Sequence, residues 1–173
     1  MVLFFIIFAK QYTLIKINML EQEKSPFIIK ELSNDSGSLM LQVLSLWENY
    51  HDRAIKKYSD LSYMQFSVLA SAYWLILNSE KQVTQTILAN HTRINPMTIS
   101  QMLKVLEFKG YIYRTAHLTD VRAKVVNLTD SGKDLVNRLM KIVYDLNDRF
   151  FYVLGKDIEH FNHYIVELLN AND

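Results

Sequence analysis

The stretch VTQTILANHTRINPMTISQMLKVLEFKG, residues 83–110, decides the fold. Thr84 is a hydroxyl residue in position to cap a first short helix, and Asn95-Pro96 begins a second helix with an amide cap and a proline at its first position. Because only three residues separate the two helices, they must cross steeply. The pattern predicts a helix-turn-helix.

The second helix has two unlike faces. One is an apolar stripe with the spacing of a core-facing helix: Ile99, Met102, Leu103 and Leu106. The cap and the other face offer side chains that suit base edges and phosphates in a DNA major groove: Asn95, Met97, Thr98, Ser100, Gln101 and Lys104. Taken alone, the segment fits an ordinary helical hairpin with a solvated polar face equally well.

The residues that follow favour DNA binding. Lys109-Gly110 ends the helix, and two β-rich segments, 111–115 and 123–128, then flank a charged tip, which predicts a β-hairpin. Arg122 at this tip suits a DNA minor groove, and Asp120 is placed to orient its guanidinium group. The hairpin residues predicted to contact DNA are Arg114, His117, Thr119, Asp120, Arg122 and Lys124.

The charge distribution points to the same segment. Residues 91–124 carry six Lys and Arg against two acids, a balance of +4, whereas the whole chain is +1. One basic face on a near-neutral protein is what local phosphate binding requires. The excess is modest, so affinity would have to come from two copies of the domain.

These motifs resemble the winged helix-turn-helix of the MarR family of bacterial transcriptional regulators. The matching pieces are Val83-Thr84-Gln85 with Leu88-Ala89, Met97-Thr98-Ile99-Ser100-Gln101 through Lys109-Gly110, Thr119-Asp120-Val121-Arg122-Ala123-Lys124, and Leu128-Thr129-Asp130-Ser131-Gly132. The similarity extends more loosely over about residues 38–169. One departure is Arg93, where the family usually has glycine, so this residue must adopt left-handed backbone or reshape the turn.

Long apolar helices are predicted on both sides of this motif. Ser62 and Gln65 form a capping-box pattern, Thr129 can cap a helix after the hairpin, and Gly155 separates that helix from a last one. The apolar stripes are Leu39, Val43, Leu46, Trp47, Tyr50 and Ala54 in the first helix, Leu135, Leu139, Ile142, Leu146 and Phe150 after the hairpin, and Ile158, Phe161, Ile165 and Leu168 in the last.

The predicted fold is mainly α with a small β-hairpin wing. We expect one domain over residues 38–173, with the winged helix-turn-helix at about 62–128 and dimerisation helices at about 38–58 and 129–170. The terminal helices have more apolar surface than one small winged domain can cover, and the resemblance also implies a homodimer. A two-fold dimer places its reading helices roughly 34 Å apart and predicts a palindromic operator. The alternative is that these helices complete a monomeric core.

Residues 1–37 form an N-terminal arm in this interpretation. Residues 1–9 are almost wholly apolar but too short to span a membrane, and they have neither the positive stretch nor the cleavage site of a signal peptide. Met19 followed by a polar run is typical of a start, so we expect residues 1–18 to lie upstream of the native protein. An apolar arm that docks on the dimer helices is the alternative. A cytoplasmic protein without a membrane partner is expected.

Several other functions are excluded or weak. The chain has no cysteine, which rules out disulfides, thiol-based redox sensing and cysteine zinc sites. No nucleophile is paired with a base and no glycine-rich phosphate loop is present, so neither an enzyme nor a cofactor is expected. His160 and His163 have a spacing that could hold a metal ion, but two histidines on a polar face are more often solvated.

The predicted function is therefore that of a dimeric, sequence-specific DNA-binding repressor. The alternatives are a winged-helix protein-interaction module and a metal-responsive regulator that uses His160 and His163. The resemblance implies a cleft between the dimerisation helices and the winged domain, with these candidate wall residues: Trp47, Tyr50, His51, Phe66, Tyr73 and Trp74. Such walls suit a small aromatic effector that releases DNA, although helical aromatics are more often plain core.

Overall fold

The computed structural model describes residues 35–172 and is mostly helical with one antiparallel hairpin, as predicted. Its elements are α1 (Ser36–Ile55), α2 (Tyr63–Asn78), α3 (Gln85–Thr92), α4 (Pro96–Phe108), β1 (Ile112–Ala116), β2 (Lys124–Leu128), α5 (Asp130–Phe151), a 3₁₀ helix (Tyr152–Asp157) and α6 (Ile158–Ala171). Residues 1–34 of the predicted arm, including the expected start at Met19, lie outside the described residues, and residues 36–37 of the arm belong to α1. None of the helices within 35–172 is long and apolar enough to cross a membrane.

The described residues divide between Gln42 and Val43 into two units, 35–42 and 43–172. In the first unit, the Asp35 carboxylate accepts the backbone N–H of Ser38 at 3.2 Å, which satisfies a free donor in the first turn of α1. The helix begins at Ser36. The second unit contains the winged domain and the long helices after it.

The capping signals set where the later helices begin. The Ser62 hydroxyl accepts the N–H of Gln65 at 3.2 Å and the Gln65 side chain accepts the N–H of Ser62 at 3.0 Å, so the predicted capping box is confirmed. Leu61 and Phe66, on either side of this cap, are both buried in the core. The cap thus fixes α2 at the point where its apolar face enters the core.

The hairpin is joined to the helix-turn-helix by a third extended segment. β1 and β2 pair antiparallel with Ile112 opposite Leu128, and Val126 in β2 donates its N–H to the Val83 carbonyl at 2.8 Å. Thr84, which caps α3, forms an isolated bridge with the neighbouring Val125. Because β2 contacts the residues that start α3, the hairpin is anchored to the helix pair.

The start of α5 is fastened to the end of α4 by close backbone contacts. The Thr129 hydroxyl donates to the Gly110 carbonyl at 2.7 Å and accepts the N–H of Gly132 at 3.1 Å, which confirms the predicted cap. A Cβ on Gly132 would lie 2.1 Å from the carbonyl oxygen of Tyr111, so this crossing requires glycine. We call Gly110, Tyr111, Thr129 and Gly132 the α4–α5 joint.

Within one chain, the long helices keep large apolar surfaces exposed. His51 and Ile55 are the buried residues of α1, whereas most of its predicted stripe is exposed: Leu39, Val43, Leu46 and Tyr50. α6 has no buried residue, and its large hydrophobic side chains Tyr164, Val166 and Leu168 are exposed. The break before α6 is at Gly155, as predicted, with φ 51° and ψ −125°.

Candidate DNA-binding surface

Helix α4 presents the side chains that were predicted to read DNA. Its cap residue Asn95 accepts the N–H of Met97 at 2.8 Å, and Pro96 occupies the first turn, where it loses no helical hydrogen bond. The buried residues of α4 are Ile99, Leu103 and Leu106. Opposite them, Met97, Gln101 and Lys104 are exposed, with Thr98 and Ser100 half-buried. The predicted set therefore shares the solvent-facing side of one helix.

The turn before α4 adopts left-handed backbone at Arg93. With φ 59° and ψ 15°, Arg93 takes the conformation that glycine would take, and of the two outcomes left open by the sequence this is the one observed. Such a conformation costs a non-glycine residue about 1 kcal/mol. The Gln85 side chain also donates to the Pro96 carbonyl at 3.2 Å and links the starts of the two helices. The crossing of α3 and α4 is thus held without a glycine.

Side chains hold the tip of the wing in one turn. Nδ1 of His117 accepts the N–H groups of Thr119 at 3.3 Å and of Asp120 at 3.1 Å. The Asp120 carboxylate accepts the backbone N–H of Arg122 at 3.0 Å and so orders the backbone of the turn. The predicted contact of Asp120 was with the guanidinium group of Arg122. The Gln82 side chain accepts the N–H of Leu118 at 3.2 Å, a contact that no local pattern predicted.

Among the cations of residues 91–124, Arg114 and Lys109 form ion pairs with other described residues. Arg114 on β1 binds the carboxylate of Glu107 on α4 through Nε at 3.1 Å and through a second nitrogen, which lowers the pKa of Glu107 and raises that of Arg114. The guanidinium group of Arg114, which was predicted to contact DNA, is therefore bound by an acidic residue of α4. Lys124 on β2 and Arg122 at the tip are exposed.

The second ion pair lies at the far end of α4. Lys109 binds the Asp60 carboxylate and donates to the Asp60 carbonyl at 3.2 Å, and the Tyr111 hydroxyl donates to the same carboxylate at 3.3 Å. These contacts lower the pKa of Asp60, with the Lys109 hydrogen bond as the largest cause. Burial is the main cause that raises the pKa of Tyr111. The segment between α1 and α2 is therefore fastened to the end of the reading helix.

The residues predicted to line a ligand cleft lie in different places. Trp47, His51 and Tyr63 form one aromatic cluster, with ring centroids 4.5 Å apart for Trp47–His51 and 4.7 Å for His51–Tyr63. Tyr50 lies beside His51, but Phe66 is fully buried in the core and Tyr73 packs partly buried against it. Trp74 is exposed and stacks on His91 at 5.1 Å. Of the six, the structure brings Trp47, Tyr50 and His51 together, places Phe66 and Tyr73 in or against the core, and places Trp74 beside His91.

The aromatic cluster contains a buried imidazole nitrogen without a partner. Nδ1 of His51 lies 2.8 Å from the Trp47 carbonyl, but its Nε2 has no hydrogen-bond partner among residues 35–172. Trp47 donates from its indole to Asn147 of α5 at 3.2 Å, so the cluster joins α1 to α5. Burial, with Glu48 as a second cause, raises the pKa of Tyr63 to about 12. Sequence analysis missed Tyr63, which sits in the same helix stripe as core residues.

His160 and His163 lie exposed on α6. Within residues 35–172, no three His, Cys, Asp or Glu side chains are grouped so that they could hold a metal ion.

Comparisons with known proteins agree on one family and one fold. The sequence model of the family described as transcriptional regulator SarA/Rot matches residues 52–139. The HTH-type transcriptional regulator YdcH of Bacillus subtilis is 32% identical over 133 residues, which is 77% of this chain and 88% of YdcH. The structure of the S. aureus MepR–DNA complex matches with a TM-score of 0.70 and 22% identity, over 79% of this chain and 98% of MepR. PcaV of Streptomyces coelicolor, in complex with its natural ligand, matches with a TM-score of 0.72 and 18% identity, over 85% of this chain and all of PcaV (100%).

Proposed function

The chain belongs to the SarA/Rot family of transcriptional regulators, with the winged helix-turn-helix of MarR-type proteins, and from this premise we propose that it is a dimeric, sequence-specific DNA-binding repressor of the cytoplasm. This is a family of regulators and not of enzymes. One observation carries the proposal: the exposed side of α4, with Gln101 and Lys104, is joined to a wing that exposes Arg122 and Lys124. Helix and wing together offer donors to a major groove and cations to the adjacent minor groove.

A homodimer is supported by the apolar surfaces of the long helices. α1 exposes Leu46 and α6 exposes Leu168 and Leu169, which one chain leaves in water. Burying such surfaces against a second copy removes apolar area from solvent at about 25 cal/mol per Å². In a two-fold dimer the two α4 helices enter successive major grooves roughly 34 Å apart, and the operator is palindromic.

A small aromatic effector is the regulatory part of the proposal. The neighbour PcaV was solved with its natural ligand, and the cluster of Trp47, His51 and Tyr63 joins α1 to α5 in this chain. The unpartnered Nε2 of His51 offers a ligand a hydrogen bond inside an apolar surround. An effector would release DNA only by binding more tightly to the dimer that is wrongly spaced for DNA. A thermal-shift screen of phenolic acids, with DNA release as the second readout, tests this part.

The DNA-binding role is tested with two matched lysines. Lys104 is exposed on α4, and Lys141 is exposed on α5, a helix that is not part of the proposed surface. Each phosphate contact contributes about one unit to the slope of log affinity against log salt, so Lys104→Ala is expected to lower that slope by about one and Lys141→Ala to leave it unchanged. Equal slopes in both variants contradict the proposal. Binding to proteins but not to DNA would instead favour an interaction module.

The reading role of α4 has its own readout. Gln101→Ala is expected to relax the preferred base sequence without changing dimerisation, because the side chain faces away from the buried stripe. Selection of bound sequences from a random pool measures the preference. An unchanged preference would mean that this face does not read bases.

A further inference from the structure

Two large apolar side chains stand at the tip of the wing. Leu118 is 84% exposed and Val121 is 97% exposed, whereas Val125 and Val126 of the same hairpin are buried. Single apolar residues on a surface are common, so exposure alone says little. What distinguishes these two residues is the ordered turn that bears them and the charges around it.

The turn that bears them is ordered before any partner arrives. Gln82 accepts the N–H of Leu118, and His117 accepts the N–H groups of the next two residues. The carbonyl of Asp120 accepts the N–H of Ala123 at 3.0 Å and closes the turn after Val121. Because the backbone is already fixed, a partner that buries these side chains loses little conformational entropy. The tip is therefore a preordered binding surface.

The charges around the tip indicate which surface it fits. Arg122 follows Val121 directly and Lys124 begins β2. A partner that covers this tip therefore needs anionic groups close to an apolar surface. A DNA minor groove has this combination, because its phosphates lie along the rims and its walls are the C–H faces of deoxyribose. Proteins that bind the minor groove use apolar side chains, leucine among them, as wedges between base steps.

We propose that Leu118 and Val121 enter the minor groove beside each half-site and make the protein select A·T pairs there. The inference rests on the proposed DNA-binding function. A G·C pair places the N2 amino group of guanine on the floor of the minor groove, whereas A·T pairs offer only acceptors. An apolar tip removes water from the groove-floor acceptors of either pair, but at a G·C pair it also removes water from the amino group and offers it no acceptor, so G·C pairs bind less well. The two residues therefore determine specificity at positions that α4 does not reach.

The test uses duplexes built on the sequence that the wild-type protein selects, with either A·T or G·C pairs at the wing positions. The wild type is expected to bind the A·T form about tenfold more tightly, which is the usual size of one disfavoured base pair. The double variant Leu118→Ser, Val121→Ser is expected to bind both forms equally and with the wild-type salt slope, because serine displaces no counterion. Arg122→Ala is the contrasting variant, and it is expected to lower the slope by about one.

Each outcome separates the inference from the function on which it rests. If the wild type selects no sequence at all, the proposed function fails. If it selects a sequence but the double variant keeps both the affinity and the A·T preference, the inference is wrong and the apolar tip serves a partner other than DNA. Thermal unfolding at the wild-type temperature shows that the variant is folded, as expected for side chains this exposed.

Discussion

Gly132→Ala is the substitution for which the structure gives the clearest magnitude. The added Cβ would lie 2.1 Å from the carbonyl oxygen of Tyr111 and 3.0 Å from its carbonyl carbon, so the start of α5 must move away. That movement strains two hydrogen bonds of the α4–α5 joint: Thr129 N–H to the Tyr111 carbonyl and Gly132 N–H to the Thr129 hydroxyl, each 3.1 Å long. Neither contact can be kept at its present length.

The expected loss in the free energy of unfolding is the sum of opposing contributions. Overpacking costs about 1–3 kcal/mol and each weakened hydrogen bond about 1 kcal/mol, while alanine returns up to about 1 kcal/mol of helix propensity. The free energy of unfolding should fall by about 2–4 kcal/mol, and Tm by roughly 4–16 °C for a chain of this length. DNA affinity should fall as well, because the joint sets the end of α4.

Calorimetry at fixed protein concentration measures the change, since a dimer unfolds at a concentration-dependent temperature. Gly37→Ala in α1 is the matched control, because its Cβ would meet only the Asp35 side chain at 3.8 Å. The control is expected to unfold at or slightly above the wild-type temperature. If Gly132→Ala unfolds at the wild-type temperature, the close crossing described at this joint is incorrect.

Three further predictions concern charges and caps. Arg114→Ala should leave the salt slope of DNA binding unchanged because its guanidinium binds Glu107, whereas Lys124→Ala should lower it by about one, and equal slopes for the two variants would refute this division. Asp60 has a lowered pKa in the folded chain, so its contribution to stability is present above about pH 4 and is lost as the pH falls through the folded pKa. Urea unfolding at pH 7 and pH 3 should show a smaller difference for Asp60→Asn than for the wild type, and the same difference would contradict the assignment. Ser62→Ala should cost about 1 kcal/mol by removing the capping box, with thermal unfolding as the measurement and no loss as the contrary result.

The parts of the fold that sequence predicts well are those set by local chemistry. Asn95-Pro96, Ser62 with Gln65, and Thr129 each satisfy backbone groups within three residues, so the helix starts that they mark are found where the sequence places them. The left-handed backbone at Arg93 was one of two outcomes that sterics allows, and only the folded chain selects between them.

Contacts between residues that are far apart in the sequence could not be predicted from local patterns. Lys109 binds Asp60 from 49 residues away, and no spacing rule links them. The cleft that the resemblance implies would include both Trp47 and Trp74, but Trp74 stacks on His91 and is exposed. Local patterns give the exposed side of α4, whereas the partners of its flanking charges depend on how the helices cross.

In the proposed dimer, two copies of α4 read one operator. Selection of bound duplexes from a random DNA pool by the full chain tests it most directly. We expect a palindromic consensus with half-sites about 10–10.5 base pairs apart, centre to centre. Enrichment of no sequence, or of a single half-site without a symmetric mate, would contradict it.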